Sequence, residues 1–302
     1  MKVVLFGAGS DLGTHIDGAK LGPTQIKNDI QSSFSGEIVE QYQDNNIIKS
    51  RNLSDRRKNE YEIEEFNSTA YEKLVELKSR EDTFVMTIGG DDIVTIPSVL
   101  ASKKVLEDVG LIYFTGACLY DTYKTSPNGN MRDLTIASIN NYKTEGMNYY
   151  ANDRIFPGKT VIIGCREMSD QENENLKYSG VNCFTAKNIK EEGIEDILDK
   201  AFQLAVEKTK GVHVVFSLGF IDPEYAPGVS EPKFDGFDET IITTIHEYLV
   251  KHIDLIVGYD LVDFNPLRDE DRKTEQIAVN CIASMVNAAQ TKERLEKLEK
   301  KY

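Results

Sequence analysis

No run of 18 or more apolar residues occurs in this 302-residue chain, so no segment reads as a helix long enough to cross a bilayer. Positive charge is scarce: 35 Lys and Arg stand against 50 Asp and Glu, a net charge of -15. That field repels phosphates at long range, which excludes nucleic acid and anionic membranes as partners and favours small molecules or other proteins. Cysteine is sparse as well. Cys118, Cys165, Cys183 and Cys281 are widely spaced with no Cys-x-x-Cys pair, which predicts reduced thiols, no disulfide framework and no zinc finger. Internal repeats and low-complexity tracts are missing too. The opening MKVVLFGAG reads as a strand followed by glycines and not as a charged segment before an apolar leader, so the expected location is the cytoplasm.

What is present is a hydrophobic content of 40%, enough to bury one large core, and residues 1–302 are expected to form one domain. Apolar runs of strand length recur at 3–6, 84–88, 111–114, 160–164, 181–184, 212–217 and 254–262. Helical patterns lie between them: Ile241, Ile242, Ile245, Leu249 and Val250 form one stripe, and Ile194, Ile197, Leu198, Ala201 and Ala205 another. Continuous apolar strands alternating with amphipathic helices predict an α/β fold with a mostly parallel sheet covered on both faces. Ligands of such sheets bind beyond the carboxyl ends of the strands. The polar stretch 42–60 reads as a surface excursion, and 291–302 as a charged helical tail.

GAGSDLG at 7–13 follows the first strand and invites a dinucleotide reading. Its spacing is G-x-G-x-x-x-G and no helical pattern opens behind it, so a plain strand-exit loop is expected. Five other segments fit together in order: DGAKLGPTQIK (17–27), IGGDDIVTIPS (88–98), YFTGACLYDTYKTSPNGN (113–130), VVFSLGFIDPEYAPG (214–228) and YDLVDFNP (259–266). In this order the chain resembles the arginases and related ureohydrolases. The resemblance implies a three-layer α/β/α fold with a central sheet of about eight strands, and a homotrimer or larger assembly.

Members of that family hydrolyse a guanidinium group with two manganese ions held by histidines and aspartates. Carried onto this chain, the ligand positions fall on Asp92, Thr115, Ala117, Leu119, Ser217 and Gly219. None is retained in kind. Manganese needs oxygen or imidazole donors with enough negative charge to offset the loss of its water; only Asp92 is anionic among the six. A bound metal lowers the pKa of water from ~16 to ~7, on the order of 10 kcal/mol of nucleophile activation. The four histidines, His15, His213, His246 and His252, lie outside these segments and are expected to be surface or structural residues.

The resemblance places substrate-side positions at Asp121, Asn128, Asn130, Arg132, Ser169, Glu172 and Asp263, of which Asn130 and Glu172 match the family. These form the candidate ligand pocket, for a small amino-acid or guanidino ligand. Arg132 is expected to pair with Asp121 or Asp133; the alternative is a bidentate hold on a ligand carboxylate. Asp91, Asp222, Pro223, Asn265, Pro266 and Gly89-Gly90 are expected to serve the strand-exit turns alone. Cys118 stands in the metal loop, but with no imidazole beside it an inert buried thiol is expected. The acids Asp91, Asp92, Asp121 and Asp263 could instead gather one calcium or magnesium ion, which nothing in the spacing requires. These observations predict a non-catalytic chain with no catalytic residue and no manganese, acting in binding, regulation or assembly. The alternatives are a hydrolase of a guanidino or other linear C–N substrate with a rebuilt site, and a sensor of a small amino acid.

Overall fold

The computed structural model describes residues 2–50, 52, 55–143 and 153–299, with side chains through residue 292. Its strands are β1 (Lys2–Gly9), β2 (Glu37–Tyr42), β3 (Thr83–Gly89), β4 (Gly110–Phe114), β5 (Thr160–Cys165), β6 (Asn182–Thr185), β7 (Val212–Ser217) and β8 (Ile256–Val262). They form one sheet in the order β2-β1-β3-β8-β7-β4-β5-β6, and every neighbouring pair is parallel. The continuous apolar runs become strands buried along their whole length, as in β4, β5 and β7, because helices cover both faces.

The helices are α1 (Gly22–Ile30), α2 (Glu60–Lys78), α3 (Thr95–Leu106), α4 (Thr135–Ile139), α5 (Asp170–Ser179), α6 (Ala186–Glu192), α7 (Ile194–Val206), α8 (Glu239–Lys251) and α9 (Lys273–Glu299). The apolar stripes of α1, α6, α7, α8 and α9 meet one face of the sheet. Those of α2, α3, α4 and α5 meet the other. The α/β architecture with a parallel sheet of eight strands is therefore as the resemblance implied.

Two elements differ from the sequence reading. Strand β2 lies at the sheet edge with most of its residues only partly covered, so EIVEQY carries neither a continuous apolar run nor a clean alternation. The stretch 42–60 is no loose excursion: Gln43, Lys49, Lys58 and Asn59 are buried. The Lys49 ammonium donates to the carbonyls of Asp11 and Ile16 at 3.0 and 2.6 Å and pairs with Asp11 at 3.3 Å. The Asn59 amide donates to the Leu12 carbonyl at 2.8 Å. Lys and Asn here satisfy backbone groups of the loop after β1, a task that polarity alone does not reveal. The segment 291–302 enters α9 as far as Glu299.

Candidate active site

The carboxyl ends of β1, β3, β4, β5, β7 and β8 converge on one set of loops. Gly89 and Gly90 let two of them touch: a Cβ on Gly90 would stand 1.8 Å from the Ser10 carbonyl oxygen. The next residue ties the turn, for the Asp91 carboxylate accepts from the backbone N–H of Gly13 at 2.7 Å and of Ile93 at 3.1 Å. Asp222 accepts from Glu224 and Gly236 in the same way, and Asn265 from Leu267. These residues hold turns, as expected from their types.

At the centre stands Arg132. Its Nε donates to Asp92 Oδ2 at 2.6 Å and its Nη2 to Asp263 Oδ2 at 3.1 Å, while Nη1 lies 3.4 Å from Glu231. The expected pairing of Arg132 with Asp121 or Asp133 is thus corrected. Those acids hold hydroxyls instead, Asp121 that of Thr125 at 2.6 Å and Asp133 that of Ser126 at 2.9 Å. Burial works against the charge of Arg132, but Asp92, Asp263 and Glu231 outweigh it and keep the guanidinium protonated well above its usual range. The other oxygen of Asp92 accepts from the Tyr113 hydroxyl at 2.8 Å, and Asp263 Oδ1 accepts from Ser230 N at 3.3 Å.

The remaining ligand-equivalent positions surround this ion pair. A Cβ on Gly219 would lie 3.1 Å from Asp263 Oδ2, 3.7 Å from Ser217 Oγ and 3.8 Å from Arg132 Nη2. Ser217 is fully buried and its hydroxyl has no hydrogen-bond partner. The Thr115 hydroxyl donates to the Ala117 carbonyl at 2.8 Å, and Leu119 presents only carbon, with φ of 56°. This set does not fit the manganese pair of the family: a cationic guanidinium stands among the positions, and Ala117, Leu119 and Gly219 offer no side-chain donor. No step below passes through a metal.

Beside the buried pair lies an open cavity of ≈470 Å³. Of the candidate pocket residues, Asp121, Asn128, Ser169 and Glu172 line it. Asn130, Arg132 and Asp263 do not; they are buried beneath. Ala117 and Leu119 form its apolar floor, and Asp133, Glu167, Glu231, Arg166 and Lys233 complete the wall. Five carboxyl groups thus face two cations, and Lys233 is already paired with Glu167 at 2.9 Å. Phe220, the other candidate to fill the cavity, packs instead on Phe237 at 4.7 Å on the opposite side of the sheet.

Three of these acids hold protons near neutrality. Burial, and then the neighbouring Asp121 and Asp133, push Glu172 up to about 8 although the Tyr120 N–H donates to it at 3.0 Å. Burial and Glu231 push Asp133 up to about 7. Burial likewise raises Asp121. Cys118 is buried, and hydrogen bonds with Cys165 and Cys183 together with burial push its thiol well up, so it is no nucleophile.

Sequence reasoning missed Glu231, Arg166 and His15. Glu231 accepts from the Asn130 amide at 3.1 Å and from Arg132. Arg166 clamps the loop after β7, donating to the carbonyls of Gly219 and Phe220 at 2.6 Å each. His15 Nδ1 lies 3.3 Å from the Asn130 amide. None carries a local motif, so only the folded chain brings them to the site. His213 and His246 are buried away from it, bonded to Ser102 at 2.8 Å and to Tyr259 at 2.9 Å.

Comparison with known proteins places this geometry in context. The model of the Arginase family matches residues 1–287. A relative named Arginase from Bacillus subtilis (strain 168) is 27% identical over 295 residues, covering 94% of this chain and 97% of its own. Another Arginase, from Bacillus caldovelox, is 24% identical over 297 residues with the same coverage. Among solved structures, an arginase from Bacillus subtilis superposes with a TM-score of 0.82 at 23% identity, covering 95% of this chain and 98% of that one. Entamoeba histolytica arginase in complex with L-ornithine gives 0.85 at 18% identity, covering 94% and 98%.

These relatives correct the expectation of a non-catalytic, manganese-free binding or assembly protein. Proteins matched over nearly their full length carry the name of an enzyme, and that kinship speaks for hydrolysis. Lost ligands were weighed in the sequence as lost activity, whereas the structure shows an open acidic cavity next to the altered centre. The chain belongs to the arginase family.

Proposed function

We propose that the chain is a cytoplasmic hydrolase of linear C–N bonds in guanidino or related amidino compounds, acting in a rebuilt site. The observation that carries this reading is the ≈470 Å³ cavity at the strand ends, walled by Asp121, Asp133, Glu167, Glu172 and Glu231. A planar cation suits such a wall, because each carboxylate accepts the N–H groups of a guanidinium in its own plane. Hydrolysis adds water to the amidino carbon, breaks one C–N bond and delivers a proton to the departing amine. That calls for one group to take a proton and another to give one.

Asp133 and Glu172 have the properties for these roles. Their environments set them apart, near 7 and 8, so near neutrality one is the better base and the other the better acid. We assign Asp133 to accept the proton of the attacking water and Glu172 to protonate the leaving nitrogen. Buried Arg132 holds Asp92 and Asp263 in place and acts by positioning the loops. Assembly into a homotrimer or larger form belongs to the same proposal.

The test is a panel of arginine, agmatine and formiminoglutamate, each assayed for urea or for the corresponding amide product with and without added manganese. Release above background from one of them, with kcat reduced in Asp133→Asn and Glu172→Gln, supports the reading. Turnover unchanged in both variants would refute the assignment.

A further inference from the structure

Three of the four cysteines scattered along the sequence come together in the fold. Cys165 ends β5 and Cys183 lies in β6. In their parallel pairing Ile162 faces Cys183, and a register shift at Gly164 then sets Cys165 opposite Thr185, which returns Cys165 to the face that carries Cys183. Cys118 arrives from the loop after β4, where Ala117 bridges to Glu167 just beyond Cys165. The three thiols hydrogen-bond with one another. Cys118 and Cys165 are buried, whereas Cys183, on the edge strand, is partly exposed.

Among the described residues, no three His, Cys, Asp or Glu side chains are disposed to hold a metal ion, which directs attention to covalent chemistry. The thiols are not equivalent. Hydrogen bonds from Cys118 and Cys165 pull Cys183 down to about 4, while burial and the same contacts push Cys118 well up. Two S–H donors directed at one sulfur favour its thiolate, and the thiolate is the reactive form. Solvent reaches that sulfur from the sheet edge.

We propose that Cys183 is an oxidation site for hydroperoxides, closed into a disulfide by Cys118 or Cys165. The Cys183 thiolate attacks one oxygen of ROOH; the O–O bond breaks, ROH leaves after taking a proton, and Cys183 becomes a sulfenic acid. A neighbouring thiolate then attacks the Cys183 sulfur, the S–S bond forms, the S–O bond breaks and water leaves. Two thiols are oxidised by two electrons and one hydroperoxide is reduced to an alcohol and water. Ala117, Leu119 and Glu167, neighbours of these thiols, line the acidic cavity, so the bond would reshape the floor of the site. The inference rests on the thiols alone and stands apart from the proposed hydrolysis.

The experiment treats the full chain with hydrogen peroxide in the presence or absence of dimedone, followed by peptide mass spectrometry. The expected result is a dimedone adduct on Cys183, and without dimedone a disulfide joining Cys183 to Cys118 or Cys165, with Cys281 still a free thiol. Iodoacetamide labelling of the untreated chain supplies a reading that needs no variant. Cys183 should alkylate at a rate nearly flat from pH 5 to pH 8, on the order of 100-fold faster at pH 6 than a thiol of ordinary pKa near 8.5. A Cys183 that follows the ordinary titration, and stays as reduced under peroxide as Cys281, would overturn the proposal.

Discussion

A guanidinium only 2% exposed keeps its charge when counter-charges stand within reach, and Arg132 has two buried ones and a half-buried third. Removing it would leave Asp92 and Asp263 facing each other without compensation. Arg132→Met is therefore predicted to lower stability by about 3–5 kcal/mol, read as a fall in Tm, and Arg132→Lys to lower it less because one ammonium cannot span both carboxylates. A Tm unchanged in both variants would mean that the pair contributes nothing. The acids of the cavity give a prediction in pH. Glu172 and Asp133 hold their protons to about 8 and 7 when folded, whereas unfolded carboxylates release them near ~4. Between those limits the folded chain binds more protons, so these groups favour the fold at low pH and cost stability as pH rises through neutrality. Glu172→Gln should flatten the decline in Tm between pH 5 and pH 8; an unchanged slope would contradict this. The identity of the altered ligand positions was legible in the sequence, because each has a fixed place in a motif. The partner of Arg132 was not: Asp92 and Asp263 lie far away along the chain, and nearby Asp133 was the natural local choice.

At the scale of elements, helix α2 ends in a lysine that the sheet buries. Lys78 Nζ has no hydrogen-bond partner, and burial pulls it down to about 8 against the attraction of Asp260. Gly258 on β8 makes the room: a Cβ there would lie 3.0 Å from Lys78 Nζ and 2.8 Å from the His213 ring. His213 in turn sits 3.1 Å from Asp260. An unfolded lysine titrates near ~10.4, so between about 8 and that value the unfolded chain binds the extra proton and stability rises with pH. Lys78→Met should abolish this rise between pH 8 and pH 10 in thermal melts; a rise of unchanged size would show that Lys78 is not its source. Long apolar runs and amphipathic stripes made seven strands and the helices α7 and α8 readable from sequence. The edge strand β2 escaped because its burial is partial on both faces, and the packed stretch 42–60 escaped because polar side chains buried to satisfy backbone groups look the same in sequence as polar side chains in water.

Across the whole molecule, the net charge of -15 and the acid-lined cavity act in one direction, drawing a cation toward the carboxyl ends of the strands. Added salt should therefore raise KM for a guanidino substrate more than it lowers kcat, since screening weakens capture over distances near ~10 Å at 0.1 M ionic strength while leaving buried groups little affected. Light scattering on the purified protein tests assembly, with a mass several times that of one 34.0 kDa chain as the expected result. Kinship and composition set the family and the likely sign of the ligand's charge, yet only the folded chain shows that the cavity lies beside the altered centre and not within it. The most direct test of the account is steady-state hydrolysis of arginine and agmatine by the wild-type chain and by Glu172→Gln, with circular dichroism to verify the fold. The account predicts turnover of one substrate by the wild type and a loss of about 10²–10⁴-fold in kcat in the folded variant; equal rates in the two proteins, or no product from either, would contradict it.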